Sequence, residues 1–196
     1  MSITAAWPRL AAVALLATAG CATAPVAAQR ADSAEVIVAY HSVSGQTRRM
    51  AEAVAEGARS VGGVRVTLAS IEEVTPARLE AADGIVVGSP THWGNVSVVV
   101  KRFIDAWPYL GDRIGGAFAT GGGETGGKEH VVVSLLLAML NHGMVVAGPV
   151  YDDDGFRYGT YGASAATGVE APGERELDDA RRLGRRVAEL ALRRRR

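Results

Sequence analysis

The chain has 196 residues, a formal net charge of zero, 48% hydrophobic residues and one cysteine. This length and hydrophobic content suit one compact globular domain. The balanced charge argues against a nucleic-acid partner, which would need a strongly basic surface. A single cysteine excludes a disulfide within the chain.

Residues 1–30 differ in composition from the rest of the chain. Arg9 precedes an apolar run at residues 10–20, which is too short to span a bilayer and fits the hydrophobic region of a secretory signal. The TAGC sequence that ends at Cys21 resembles a bacterial lipobox, which would make Cys21 a lipidated membrane tether, whereas residues 26–28 fit a signal-peptidase site. The third interpretation is an unprocessed extension of a cytoplasmic protein. We therefore expect a leader at 1–30 and a location in the cell envelope if the leader is used, and in the cytoplasm if it is not.

In residues 31–196, strand-like and helix-like segments alternate, which predicts a parallel sheet with helices on both faces. Apolar or alternating runs predict strands at 35–40, 64–70, 84–88, 115–120 and 144–148. Apolar residues at helical spacing predict helices at 47–60, 75–80, 96–107, 128–140 and 174–192. Five such strands match an α/β doubly wound sheet of order 2-1-3-4-5. In that sheet a ligand binds at the carboxyl ends of strands 1 and 3.

Two charged runs are interpreted as solvated. Residues 193–196 are four arginines that extend the last helix, where cations suit the C-terminal end of the dipole, and weak attraction to an anionic membrane is the alternative. The consecutive Asp152, Asp153 and Asp154 would point in different directions, so we predict no metal site there.

The first loop, SVSGQT at residues 42–47, joins a predicted buried strand to a helix start. Unpaired N–H groups and the positive end of the helix dipole can hold a phosphate there. The hydroxyls of Ser42, Ser44 and Thr47 add donors, and Gly45 allows the main chain to turn closely around the anion. Neither a lysine-containing triphosphate motif nor GxGxxG is present. The simpler interpretation is that Ser44 or Thr47 caps the helix.

Two further loops follow the third and fourth predicted strands. The segment GSPTHWGNVS at residues 88–97 predicts an irregular exposed loop with Trp93 at its tip. In the simpler interpretation Trp93 packs over its own loop and His92 is solvated. The segment TGGGETGG at residues 120–127 suits a backbone that lies against a flat ring.

These segments carry a family resemblance. SVSGQT resembles the phosphate loop of flavodoxins, while the second and third loops and NHGM at residues 141–144 resemble segments of the WrbA-type NAD(P)H:quinone oxidoreductases, a branch of the flavodoxin-like superfamily. The resemblance covers residues 35–192. It implies a flavodoxin-like fold, FMN as cofactor, NAD(P)H as electron donor, a quinone or similar small-molecule acceptor, and a homo-oligomer.

The resemblance also assigns residues. It implies an aromatic side chain between residues 105 and 115 that faces the flavin across subunits, a role that would fall to Trp107 or Tyr109. It implies no catalytic side-chain acid or base, since the cofactor carries the chemistry. The implied FMN-binding residues are Ser42, Val43, Ser44, Gly45, Gln46, Thr47, Pro90, Thr91, His92, Trp93, Gly94, Asn95, Thr120, Gly121, Gly122, Gly123, Glu124 and His142.

Two functions remain open at this point. The first is an enzyme that passes electrons from NAD(P)H through FMN to a quinone. The second is a flavodoxin-like carrier that exchanges single electrons with a protein partner. Such carriers tend to be markedly acidic, so the neutral chain favours the enzyme.

Overall fold

The computed structural model describes residues 33–148, 161–168 and 171–195. The leader, Cys21 and the three consecutive aspartates lie outside the described residues. The strands are β1 (Ala34–Tyr40), β2 (Val64–Ser70), β3 (Gly84–His92), β4 (Asn95–Val96), β5 (Ile114–Gly121), β6 (Val145–Val146) and β7 (Ala163–Ala166). The helices are α1 (Gln46–Arg59), α2 (Pro76–Ala81), α3 (Val98–Asp105), α4 (Lys128–Asn141) and α5 (Glu174–Arg195), and a 3-10 turn at Ile71–Glu73 follows β2. In these ranges we find no helix with the length and apolar character of a membrane span.

The main sheet is parallel, with the strand order β2-β1-β3-β5-β6. This is the predicted order 2-1-3-4-5 with the fourth and fifth strands renumbered, so the predicted fold class is confirmed. The fifth position is divided between two segments. β6 pairs with the beginning of β5 at Ile114 and Gly115, and β7 pairs with its end from Phe118 to Gly121. β7 was not predicted, because its sequence ASAA contains no β-branched or aromatic residue.

Helices cover both faces of the sheet. α1 and α5 pack on one face, and α2, α3 and α4 pack on the other. α1 and α5 approach backbone to backbone, since a Cβ on Gly57 would lie 1.9 Å from the carbonyl oxygen of Arg181. A Cβ on Gly184 would lie equally close to the carbonyl oxygen of Val54. Any side chain larger than hydrogen at either position would force these helices apart.

The third helix is shorter than predicted. Val96 belongs to β4, and the Ser97 hydroxyl accepts a hydrogen bond from the Val100 N–H at 3.3 Å, which caps α3. The helix ends at Asp105, so Trp107 lies beyond it. The prediction of a helix at 96–107 placed both ends two residues too far out.

The C-terminal arginines do not all form a solvated tail. Asp83 is 4% exposed, and its carboxylate accepts hydrogen bonds from the Nε of Arg195 at 3.0 Å and from the Glu35 N–H at 2.9 Å. Arg194 lies 3.5 Å from the same carboxylate. The solvated interpretation is therefore wrong for Arg194 and Arg195, because a buried carboxylate needs positive partners. These contacts tie the end of α5 to the start of β1.

Candidate functional site

The first loop turns sharply at Gly45 before α1. Gly45 is the N-cap residue with φ of +88°, and it has no side chain to cap the helix. Capping by Ser44 or Thr47 is therefore not observed. The hydroxyl of Ser42 instead accepts a hydrogen bond from the Arg48 N–H at 3.2 Å. A Cβ at Gly45 would meet no atom within 4 Å, so the turn borders open space at the helix N-terminus.

The other residues of this loop divide by exposure. Val43 and Ser44 are exposed, and Gln46 is half-buried. Thr47 is buried at 2% exposure, and its Oγ1 lies 2.8 Å from Oγ1 of Thr120 at the end of β5. Whichever hydroxyl accepts this bond keeps its own proton for a ligand oxygen. This contact joins the first loop to the third.

The second loop is a regular hairpin. β3 extends to His92 and pairs with the short antiparallel β4, with Thr91 opposite Val96 and His92 opposite Asn95. Trp93 and Gly94 form the two-residue turn with φ of 53° and 75°, as in the primed turns that suit tight hairpins. The prediction of an irregular loop is therefore wrong.

The tip of this hairpin is open. Trp93 is fully exposed, so it does not pack over its own loop, and His92 and Asn95 are exposed beside it. The base is held by the buried hydroxyl of Ser89, which donates to the Pro90 carbonyl at 2.8 Å and accepts from the Ser97 N–H at 3.2 Å. The hydrogen-bonded base of the hairpin thus carries a fully exposed aromatic ring at its tip.

The third loop lies against the hairpin. A Cβ on Gly127 would lie 2.9 Å from Cα of Gly94, and a Cβ on Gly121 would lie 3.4 Å from Oγ1 of Thr91. Gly122 and Gly123 border open space, and Glu124 is exposed. The two loops therefore run side by side at the carboxyl edge of the sheet.

β7 supports the third loop from its outer side, which the sequence interpretation missed. The Thr167 N–H donates to the Gly121 carbonyl at 2.7 Å. A Cβ on Gly168 would lie 2.1 Å from the Gly122 carbonyl oxygen. The only sequence signal was a glycine shortly after a run of small residues, which is too weak to predict such a contact.

The arrangement fits FMN. Open space borders Gly45 for a phosphate, and the backbones at Gly94, Gly122 and Gly123 are unobstructed for a flat ring. In addition, the buried Oγ1 of Thr91 has no hydrogen-bond partner among the described residues. A buried hydroxyl without a partner is costly, and a polar ring atom would supply one. The predicted residues of all three loops thus come together at one edge.

His142 does not join them within one chain. It follows α4 at the amino-terminal edge of the sheet, where its Nδ1 lies 3.0 Å from the Pro108 carbonyl oxygen. Its ring packs edge-on against Trp107, which is 7% exposed, whereas Tyr109 is 77% exposed. Trp107 is therefore packed inside the chain and Tyr109 is accessible. Contact between His142 and FMN would require the FMN of a second chain.

Both edges of the sheet carry charges of both signs. The edge with the three loops has the exposed glutamates Glu72 and Glu124 together with the exposed arginines Arg48 and Arg49. The opposite edge has the C-terminal arginines of α5, two of which contact Asp83.

Comparison with known proteins agrees with this geometry. The family model for NADPH-dependent FMN reductase matches residues 71–153. The chain is 41% identical over 160 residues to a flavodoxin of Aquifex aeolicus, covering 79% of this chain and 85% of that protein. It is 35% identical over 188 residues to an NAD(P)H dehydrogenase (quinone) of Archaeoglobus fulgidus, covering 81% of this chain and 97% of that protein.

A solved structure is also similar. The flavodoxin, WrbA-like protein from Agrobacterium tumefaciens has a TM-score of 0.68 and 32% identity, and the match covers 84% of this chain and 100% of that one. Fold, loop geometry and sequence similarity thus lead to one assignment. The chain belongs to the flavodoxin-like superfamily, in its WrbA-type NAD(P)H dehydrogenase (quinone) family.

Proposed function

We propose that the protein is an FMN-dependent oxidoreductase that transfers electrons from NAD(P)H to a quinone or a similar small-molecule acceptor. The observation that carries this proposal is the convergence of the three loops, joined by the Thr47–Thr120 hydrogen bond and by the packing of Gly94 on Gly127. When bound, FMN accepts a hydride and passes electrons on. The protein binds and orients it and needs no acid or base of its own.

Each loop has a separate task in this proposal. The first loop binds the phosphate through backbone N–H groups at the N-terminus of α1 and through the hydroxyls of Ser42 and Ser44. The hairpin and the third loop would hold the ring against the backbones of their glycines, and the Thr91 hydroxyl would exchange a hydrogen bond with it. The exposed Trp93 at the hairpin tip would be available to stack on the ring.

The test is an NADPH–quinone assay on the purified chain loaded with FMN. We expect NADPH oxidation with benzoquinone to exceed the rate of the same concentration of free FMN. A rate no higher than that of free FMN would refute the enzyme. A chain that neither contains flavin nor takes up added FMN would refute the cofactor as well.

The 41% identity to a flavodoxin favours a second candidate, a one-electron carrier. The exposed glutamates beside the loops, such as Glu72 and Glu124, would then contribute to docking a protein partner. FMN-loaded protein that has first been reduced with dithionite, and that then reduces a basic haem protein such as cytochrome c at a rate that falls steeply with salt, would support the carrier. Quinone reduction that does not depend on salt would support the enzyme.

We also propose a homo-oligomer that buries one face of α4. Leu137 and Leu140 are 60% and 51% exposed on this helix, and Val145 of the adjoining edge strand is 52% exposed. Between residues 131 and 141 the sequence has no charged residue, so this face is complementary to a second copy of itself. Leu137→Glu should lower the mass in light scattering, while the exposed Glu80→Gln should leave it unchanged.

For the N-terminal leader we propose a membrane tether at Cys21, as the TAGC sequence favours. The chain would then be held at the cell envelope. Incorporation of a fatty-acid probe, abolished by Cys21→Ser, is the expected result. N-terminal sequencing that begins at Met1 would point to an unused leader instead.

A further inference from the structure

A cavity of about 380 Å³ opens beside the phosphate loop at the carboxyl ends of β1 and β2. It is lined by Tyr40, His41, Ser42, Arg48, Ser70 and Glu72. Gly45 forms its boundary with the place proposed for the FMN phosphate. Its volume is in the range of small-molecule sites, and the proposed function places no ligand in it.

The side chains around this cavity differ in chemistry. Tyr40 offers an aromatic ring, and the carboxylate of Glu72, whose side chain is 58% exposed, lies 3.6 Å from Nδ1 of His41. The guanidinium of Arg48 uses one of its five donors on Glu52 at 2.9 Å. That hydrogen bond raises the pKa of Arg48 further above its ordinary value.

The positions of these groups follow from the βαβ unit. β1 leads into the phosphate loop and α1, and β2 returns parallel to β1 with Tyr40 level with Ser70. Glu72 therefore stands two residues past the end of β2, next to a helix N-terminus. In doubly wound nucleotide sites, a carboxylate near the end of the second strand accepts hydrogen bonds from ribose hydroxyls.

We infer that this cavity is a subsite for an adenosine ribose and its phosphate. The adenine ring stacks on Tyr40, the ribose hydroxyls donate to Glu72, and the phosphate accepts from Arg48 and the Ser70 hydroxyl. The inference goes beyond the proposed function and rests on it only for the position of the FMN phosphate.

Two ligands carry this group. In FAD, the adenylate half continues directly from the FMN phosphate, and the cavity shares Ser42 and Gly45 with the loop that would hold that phosphate. In NADH, the adenosine half would enter the cavity while the nicotinamide lies on the flavin. NADPH would bring its 2′-phosphate against Glu72, where like charges repel.

The test replaces one exposed carboxylate. Glu72→Gln removes the charge at the cavity, and Glu80→Gln removes the same charge from the exposed face of α2 as the control. We measure the affinities of the full chain for FMN and FAD by flavin fluorescence, and KM for NADH and NADPH with FMN bound. Glu72→Gln should leave FMN affinity unchanged.

The two ligands give different results. If the adenosine in the cavity belongs to FAD, Glu72→Gln weakens FAD binding about tenfold, as expected for one hydrogen bond to a charged group. If the adenosine in the cavity belongs to NADH, Glu72→Gln raises KM for NADH about tenfold and lowers KM for NADPH, with kcat unchanged. Either result supports the subsite.

The subsite is wrong if FAD affinity and KM for NADH are the same in Glu72→Gln and in the wild type, or if Glu80→Gln has the same effect. If the wild type binds FMN in that case, the proposed function still stands. If the wild type does not bind FMN, the proposed function fails, and titration with AMP decides the subsite. Binding of AMP that Glu72→Gln abolishes supports it, and no binding overturns it.

Discussion

The hydroxyl oxygens of Thr47 and Thr120 lie 2.8 Å apart, both buried, and join the first turn of α1 to the carboxyl end of β5. Their positions in the sequence are 73 residues apart. The contact sets the spacing between the loop proposed for the phosphate and the loop proposed for the ring.

Thr47→Val keeps the shape of the side chain but leaves the Thr120 hydroxyl buried without its partner. We expect a loss of about 1–3 kcal/mol in the free energy of unfolding, measured with urea. Thr120→Val should cost a similar amount, and the double variant less than the sum, because both polar groups are then gone. Strict additivity of the two losses would show that the hydroxyls do not interact.

Gly45→Ala should weaken FMN binding about tenfold or more, because the new Cβ enters the space proposed for the phosphate. It should also cost about 1–2 kcal/mol of stability, since φ is +88°. Gly63→Ala is the control, because Gly63 has φ of +81° in the turn before β2, at the other edge. If both variants bind FMN equally, the phosphate lies elsewhere.

Trp93→Ala should weaken FMN binding by about 1–3 kcal/mol, the range for stacking on an aromatic side chain. The free energy of unfolding of the apoprotein should not change, because the side chain is fully exposed. Trp93→Phe keeps a ring and should retain most of the affinity. Equal FMN affinities for the wild type and Trp93→Ala would remove the hairpin tip from the site.

Asp83→Asn should lower the free energy of unfolding by about 1–3 kcal/mol, because it removes the buried charge that Arg194 and Arg195 contact, while the partial exposure of both arginines screens part of the loss. Asp105→Asn serves as the control, since its pair with Lys101 is exposed on both sides and should cost at most about 0.5 kcal/mol. Similar losses in the two variants would mean that Asp83 does not anchor the C-terminus.

The sequence predicted the order of the central strands and the positions of the three loops at the ends of β1, β3 and β5. Apolar runs and loop chemistry are local, and β2 was predicted at its observed bounds. Gly45 was identified because a phosphate turn needs a residue that tolerates positive φ, and Gly45 has it.

The errors involve partners that are distant in the sequence. The sequence of β7 has a weak strand signal. It forms a strand because its backbone pairs with the end of β5. Arg194 and Arg195 resemble a solvated tail until Asp83 is placed beside them. His142 was assigned to FMN by resemblance, and because it follows α4 at the other edge of the sheet, its contact with FMN stays a prediction that requires a second chain. None of these relationships has a periodicity that a single sequence displays.

The division of the fifth strand has an evolutionary consequence. β6 completes the sheet near its amino edge, while β7 and Thr167 support the loop proposed for the ring. The free-energy cost of closing a connection between such anchored ends rises only slowly with its length. Insertions and deletions between Ala147 and Ala163 would therefore leave both ladders in register.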